Sequence, residues 1–385
     1  MPQNFTAREM LEKLIAFPTV SKVSNLDLIA FVEDYLASHG IESRRVYDDT
    51  GQKANLYAQI GPDEPGGVIL SGHTDVVPVE GQDWDTDPFV LTEKDGRLYG
   101  RGSCDMKGFD ALALAAVPRM LAAGMKRPIQ IALSYDEEVG CLGAPRMIKE
   151  MRETLPPAKA VIVGEPSMMK VVTQHKGSLG LSTKVHGFEI HSSLCHEGVS
   201  AVMQASRIVS WLYDRTQENM ANADPNSPFH PGFTTLHAGT IRGGTAGNIT
   251  AKYCEFLTDI RVAPPEEPVQ WLARYKTFVR QIEAEMQAVR PETYIEVNER
   301  MMNPPCRQEV DGEAESLARA LTGDNGQHVV SYGTEAGQFQ EGGYSTCICG
   351  PGSIEMAHQP NEYISIAQLN AGEAFMDRLI QRLAD

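Results

Sequence analysis

Val68-Ile69-Leu70-Ser71-Gly72-His73-Thr74-Asp75-Val76-Val77-Pro78 is the stretch on which the fold turns. Its apolar, β-branched start and its polar, proline-closed end read as a short buried strand that runs into a loop. Asn55 to Ile60, Ile129 to Ser134 and Val161 to Val163 share that texture. Between them lies a long helical stretch from about Phe109 to Ala123. Apolar spacing near Phe5 to Ile15 and from Leu26 to Leu36 marks two earlier helices, the second closed by His39-Gly40. Strands alternating with helices predict an α/β domain with a mixed, largely parallel sheet flanked by helices.

Beyond Lys176-Gly177 the order changes. A strand from Leu179 to Val185, a helix near Val199 to Arg215, strands near Thr235 to Ile241 and Lys252 to Val262, a helix around Val269 to Ala288 and a strand Tyr294 to Val297 follow one another. This is the β-α-β-β-α-β order of a ferredoxin-like α+β unit. After Pro304-Pro305 the helical segment Gly312 to Leu321 and short strands at Val329 to Ser331 and Thr346 to Cys349 resume the first texture. The expectation is a domain of residues 178 to 293 inserted between residues 1 to 177 and 294 to 385.

At 385 residues the chain is long enough for two cores, and 42% apolar with 22% charged residues places it among ordinary globular proteins. A net charge of −17 repels phosphate backbones and no basic cluster offsets it, so nucleic acid is not an expected partner; a cationic substrate is permitted. No window approaches the roughly 20 apolar residues of a spanning helix. The opening Met1-Pro2-Gln3-Asn4 shows no secretory leader, so the cytoplasm is expected. The seven cysteines lack Cys-x-x-Cys spacing and read as reduced thiols, most of them small buried hydrophobes.

Five segments carry the chemistry. In the first, His73 and Asp75 are two apart in an extended stretch and face the same way. A neutral imidazole is a good ligand for zinc, and a carboxylate on its other nitrogen would orient the ring. In the second, Gly100 to Gly108, Asp105 precedes the Phe109 helix; it is either an N-terminal cap or, with its two oxygens, a bridge between cations. The third, Ser134-Tyr135-Asp136-Glu137-Glu138-Val139-Gly140, sets three acids after an apolar strand. That crowding is either a solvated acidic turn or is relieved by cations, with Glu138 on metal and Glu137 free to take a proton from water. The fourth places Glu165 after a short strand, and the fifth, Ala357-His358-Gln359-Pro360-Asn361-Glu362, places His358 in a loop. Most lie at strand ends or in the loops after them, where open α/β sheets build ligand crevices.

Taken together, these segments resemble, over nearly the whole chain, the family of two-zinc amidohydrolases that includes acetylornithine deacetylase, succinyl-diaminopimelate desuccinylase, aminoacylase and glutamate carboxypeptidases. The resemblance implies a metallopeptidase-like catalytic domain and an inserted lid and dimerisation domain. It implies that His73 and Glu165 hold one zinc, that Glu138 and His358 hold the other, and that Asp105 bridges them. Asp75 would be the partner of His73 and Glu137 the general base. Cobalt or manganese also suits such a set.

Gly164-Glu165-Pro166, Gln174-His175-Lys176-Gly177, Gly333-Thr334-Glu335-Ala336 and Gly350-Pro351-Gly352-Ser353 are closest to the acetylornithine deacetylase branch. N2-acetyl-L-ornithine is therefore the expected substrate, in arginine biosynthesis, with a desuccinylase, aminoacylase or dipeptidase as the alternative. His191-Ser192-Ser193 resembles the family's lid histidine motif, and Gly243-Gly244 through Asn248 its glycine-rich loop. Cys195 stands where the family often has proline, and Ser200 where it often has asparagine. The resemblance implies that His191 hydrogen-bonds the developing oxyanion, that Asn248 lies at the substrate, and that the protein is a homodimer through the inserted domain. Arg261 is either a contact to a substrate carboxylate or a salt-bridged structural arginine.

Overall fold

The computed structural model describes residues 3–385. The chain forms two compact units: one built from the chain up to Gln174 with Gln308–His328 and Thr334–Asp385, the other from His175–Arg307 with Val329–Gly333.

The larger sheet has eight strands in the order Ser43–Tyr47, Ala54–Ile60, Ile129–Ser134, Val68–His73, Ala160–Pro166, Thr346–Gly350, Val172–His175, His328–Val330. Its centre is parallel, with Val68–His73 lying between Ile129–Ser134 and Ala160–Pro166, and Thr346–Gly350 beyond. Antiparallel pairs flank that centre, so the sheet is mixed and mostly parallel at its core, as expected. Every residue of Val68–His73 and of Ile129–Ser134 is buried, which is why these strands read as unbroken apolar runs rather than alternating ones. Helices supply both covers. The first, Ala7–Ile15, starts on a capping box in which Thr6 and Glu9 each bind the other's backbone N–H. The second, Leu26–Ser38, closes at His39 with Gly40 left-handed at φ +75°.

The stretch expected to be one helix from Phe109 to Ala123 is two, Lys107–Ala115 and Val117–Ala122. Pro118 is the reason: its ring clashes with the preceding turn and it has no N–H to donate, so it sits near the start of the second helix.

The second unit is an antiparallel sheet in the order Thr235–Gly243, Tyr253–Val262, Gly177–His186, Tyr294–Asn303, with helices Ala201–Ala221 and Pro268–Val289. Here Tyr253–Val262 alternates buried and half-exposed residues, as a sheet covered on one face does. Its core gathers Leu179, Leu181, Phe256, Ile260, Ile208 and Trp271. The expected end of this unit at residue 293 falls short. The strand that begins at Tyr294 runs on to Asn303 and pairs along Gly177–His186, so the unit extends to Arg307. Among the described residues no helix is long and apolar enough to cross a membrane.

Candidate metal centre

His73 is the last residue of its strand, and the parallel register sets Ser134 beside it, so the acids that follow Ser134 emerge at the same sheet end. Glu165 rises from the neighbouring strand Ala160–Pro166. Asp105 and His358 come from loops, His358 in the left-handed region at φ +63°. Asp105 does not cap the helix after it. Met106 occupies the cap position and no side chain caps there, which frees the Asp105 carboxylate for the two histidines.

All five of the residues expected to hold metal converge in the first unit. Oδ1 of Asp105 lies 3.1 Å from His73 Nε2, and Oδ2 lies 3.4 Å from His358 Nε2. His358 Nε2 is 2.9 Å from Glu138 Oε2, and His73 Nε2 is 3.9 Å from Glu165 Oε1. The donor atoms of His73, Glu137 and Glu165 lie within 4.8 Å of one another, as do those of His73, Asp105 and Glu138.

This donor set fits cations on two observations. His73 Nδ1 donates to the backbone carbonyl of Asp75 at 2.9 Å, which leaves Nε2, turned toward Asp105 and Glu165, as the nitrogen on which a cation would replace a proton. Among the described residues, Glu138 Oε1 is buried without a hydrogen-bond partner. Two imidazoles and a set of carboxylates around such positions suit zinc, and oxygen-rich mixed sites also take manganese or cobalt.

Electrostatics carry the same signature. Burial holds Glu137 and Glu165 well above the usual carboxylate range, and Glu138 is pushed up to about 7 by burial and the nearby Asp105 charge. Burial also opposes ionisation of Asp105, but hydrogen bonds from His358 and His73 win and hold it low. Those to Asp105 and Glu138 raise His358 to about 10. Burial alone would lower His73, yet Asp105, Glu137 and Glu165 raise it well above an ordinary imidazole. Cations displacing these protons would relieve the carboxylates together.

Asp75 differs from expectation in one respect. Its backbone carbonyl, not its carboxylate, orients His73; the carboxylate Oδ1 stands 3.6 Å away. That carboxylate instead accepts Ser21 Oγ at 2.7 Å, the Glu137 N–H at 2.9 Å and the Glu138 N–H at 3.3 Å. The third acid of the run, Asp136, turns away to an ion pair with Lys53 and the Lys22 N–H.

Sequence reading assigned no role to three buried groups here. Glu335 accepts from Ser71 Oγ at 3.3 Å and from Ser134 Oγ, and burial raises it to about 7. Cys141 Sγ lies 3.1 Å from Glu137 Oε1. Glu362 binds the backbone of the Asp105 loop. None has a spacing signal, because each partner is tens to hundreds of residues away or, for Cys141, set by a left-handed turn at φ +54°.

The second unit holds the remaining candidates. His191 caps the short turn Ser192–Glu197, is exposed, and its Nδ1 lies 2.8 Å from Ser193 Oγ. Its loop pairs with that of Asn248: the Ser192 N–H donates to the Asn248 carbonyl at 2.8 Å. Arg261 pairs with Asp259 at 3.0 Å, the salt-bridged arrangement. Ser200 is the N-cap of Ala201–Ala221, and Cys195 is exposed in the turn.

Comparison with known proteins places this geometry. The description "Peptidase family M20/M25/M40" matches residues 69–382. An acetylornithine deacetylase of Myxococcus xanthus is 35% identical over 378 residues, covering 97% of this chain and 96% of that protein. One of Pasteurella multocida (strain Pm70) is 31% identical, covering 97% and 96%. Among solved structures, the M20 family metallo-carboxypeptidase Sso-CP2 of Sulfolobus solfataricus shares the fold with a TM-score of 0.78 at 18% identity, covering 99% of both chains. Human carnosine dipeptidase 1 shares it with a TM-score of 0.70 at 17% identity, covering 98% of this chain and 96% of that one. This chain belongs to the M20/M25/M40 peptidase family and is an enzyme of that family, a hydrolase.

Proposed function

We propose that the enzyme hydrolyses the amide of an N-acyl amino acid, with N2-acetyl-L-ornithine as substrate, and serves arginine biosynthesis. The observation that carries the chemistry is Asp105, whose two oxygens face two histidines from opposite ends of the chain. The substrate rests on relatives named acetylornithine deacetylase, each matched over nearly its full length. Seven cysteines without a disulfide suit a reducing compartment, in keeping with the cytoplasm.

His73 and Glu165 would hold one cation, Glu138 and His358 the other, and Asp105 both; zinc is the ion we assign. Such a pair polarises the scissile carbonyl and acidifies a water. Glu137, adjacent to a ligand and held by Asp75 through its backbone, takes the proton of the attacking water and passes it to the departing amine. Water's oxygen ends in the acetate carboxylate, and both of its protons end on the amine, which leaves as an ammonium. His191 of the second unit supplies a hydrogen bond to the oxyanion. Asn248, on the loop paired with that of His191, lies at the substrate; for Arg261 to meet a substrate carboxylate it would first have to leave Asp259. We further propose that the second unit is a lid and that two chains associate through it.

The test is a panel of acetyl-, succinyl- and formyl-amino acids and dipeptides offered to zinc-loaded protein and ranked by kcat/KM. Acetylornithine is expected to lead. A succinylated compound or a dipeptide far ahead of it would overturn the substrate while leaving the amide chemistry standing.

A further inference from the structure

Glu362 ends the segment that brings His358 to the metal centre, and the reaction above gives it nothing to do. It is nonetheless 1% exposed, as is Arg101, its ion-pair partner at 2.6 Å. Oε2 of Glu362 also accepts the Gly102 N–H at 3.1 Å. Oε1 accepts the Cys104 N–H at 2.8 Å and the Asp105 N–H at 3.0 Å. The backbone of Glu362 joins in, its carbonyl accepting the Gly100 N–H at 3.0 Å. From the other side Arg101 reaches the Gln359 carbonyl at 3.4 Å and Gln82 Oε1, while Gln82 Nε2 donates to the His358 carbonyl at 2.9 Å.

A buried carboxylate is costly unless its lone pairs are filled, and here four donors fill them. The choice of donors matters more than their number. Two are the amides of Asp105 and the residue before it, so any displacement of Glu362 is passed to Asp105 through its own peptide. The guanidinium and Gln82 grip the backbone of the His358 loop. One carboxylate thus locks together the two loops that deliver Asp105 and His358.

We propose that Glu362 is a positioning residue that fixes the Asp105 carboxylate against the His358 imidazole and so sets the separation of the two cation sites. The proposal rests on Asp105 being the shared ligand. Glutamine is the informative replacement. It matches glutamate in shape, but its NH2 group must face either the Cys104 and Asp105 amides or Gly102 and Arg101, donor against donor.

The experiment compares wild type, Glu362→Gln and a core variant such as Leu379→Val, whose side chain is wholly buried in the last helix and which corrects for general destabilisation. Metal-free protein is titrated with zinc alone, and amide exchange is followed without metal. Glu362→Gln should weaken at least one of the two zinc affinities by roughly 10- to 100-fold, the usual effect of disturbing groups that orient metal ligands. The core variant should titrate like wild type. Exchange at Gly102, Cys104 and Asp105 should accelerate by roughly tenfold or more in Glu362→Gln. Wild-type zinc affinities in Glu362→Gln, equal losses in the core variant, or unchanged exchange at those amides would each overturn the proposal. If wild type itself takes up no zinc pair, the metal assignment above fails, and the exchange measurement still decides whether the clamp exists.

Discussion

Asp75 and Glu137 are joined by a hydrogen bond from the backbone N–H of Glu137 to Oδ1 of Asp75, 2.9 Å long and fully buried. The carboxylate that sequence spacing pairs with His73 is therefore spent mainly on the turn that carries the two glutamates. Its side chain and its carbonyl do separate jobs. The first expected consequence concerns Asp75→Asn. The amide's NH2 must face a backbone N–H, that of Glu137 or that of Glu138, while the Ser21 hydroxyl can turn to accept and the Asp75 carbonyl still orients His73. Turnover should fall roughly 10- to 100-fold with the Glu137 turn disturbed; a kcat within twofold of wild type would show that the turn holds without it.

Glu137→Gln separates proton transfer from metal binding. Zinc content should remain at the wild-type level and kcat should fall by about 10²- to 10⁴-fold. Mixing this variant with His191→Ala reads whether one copy completes the other: recovered activity in the mixture, absent from either alone, places His191 across a subunit boundary.

Removing metal should cost stability. Each site held at a hundred times its dissociation constant contributes about 2.7 kcal/mol by mass action. Stripping the cations also leaves Glu137, Glu138 and Glu165 to compete for protons in a buried cluster. Scanning calorimetry with and without chelator should show a lower Tm in the stripped protein, restored by zinc; an identical Tm would mean that no cation binds at the concentrations used.

Glu335 gives stability a pH dependence of known sign. Its ordinary value of 4.5 rises to about 7 in the folded protein, chiefly through burial. Between those values the native state retains a proton that the unfolded chain has lost, so stability falls as pH rises from about 4.5 to 7. The full effect is about 3 kcal/mol. Glu335→Gln should flatten that part of the profile and be the more stable protein above pH 7, as read by urea unfolding at successive pH values. A parallel profile would remove Glu335 as its source.

Gly164 lies against the Phe109 ring so closely that an added Cβ would come within 2.0 Å of Cγ. Phe109 is buried near the start of the helix Lys107–Ala115. Gly164→Ala should lose about 1–3 kcal/mol by overpacking, measured as a lower urea midpoint with an unchanged slope. A stability equal to wild type would mean that the helix yields.

Much of the metal centre could be read from the chain because its residues follow strands that announce themselves. Val68–His73, Ile129–Ser134 and Ala160–Pro166 are buried on both faces, so their apolar runs stand out, and a polar residue at the end of such a run has few reasons to be there. That contrast singled out His73, Glu137, Glu138 and Glu165 as candidates with a solvated acidic turn still open, and the resemblance to two-zinc amidohydrolases supplied their expected roles and those of Asp105 and His358. The β-α-β-β-α-β order of the second unit came from the same alternation of periods. Composition likewise fixed the strong negative charge.

Tertiary structure decided everything that depends on which atom faces which. Asp75 and His73 are two residues apart, yet only folded backbone geometry shows that the carbonyl, not the carboxylate, takes the ring nitrogen. The Glu362 clamp joins positions 257 to 261 residues distant, and the Glu335 contact to Ser71 spans 264, separations at which no sequence period operates. Periodicity records which face of an element is buried, because burial repeats with the backbone. Hydrogen bonds between loops have no such repeat, and they are set only when the sheet brings its loops to one end.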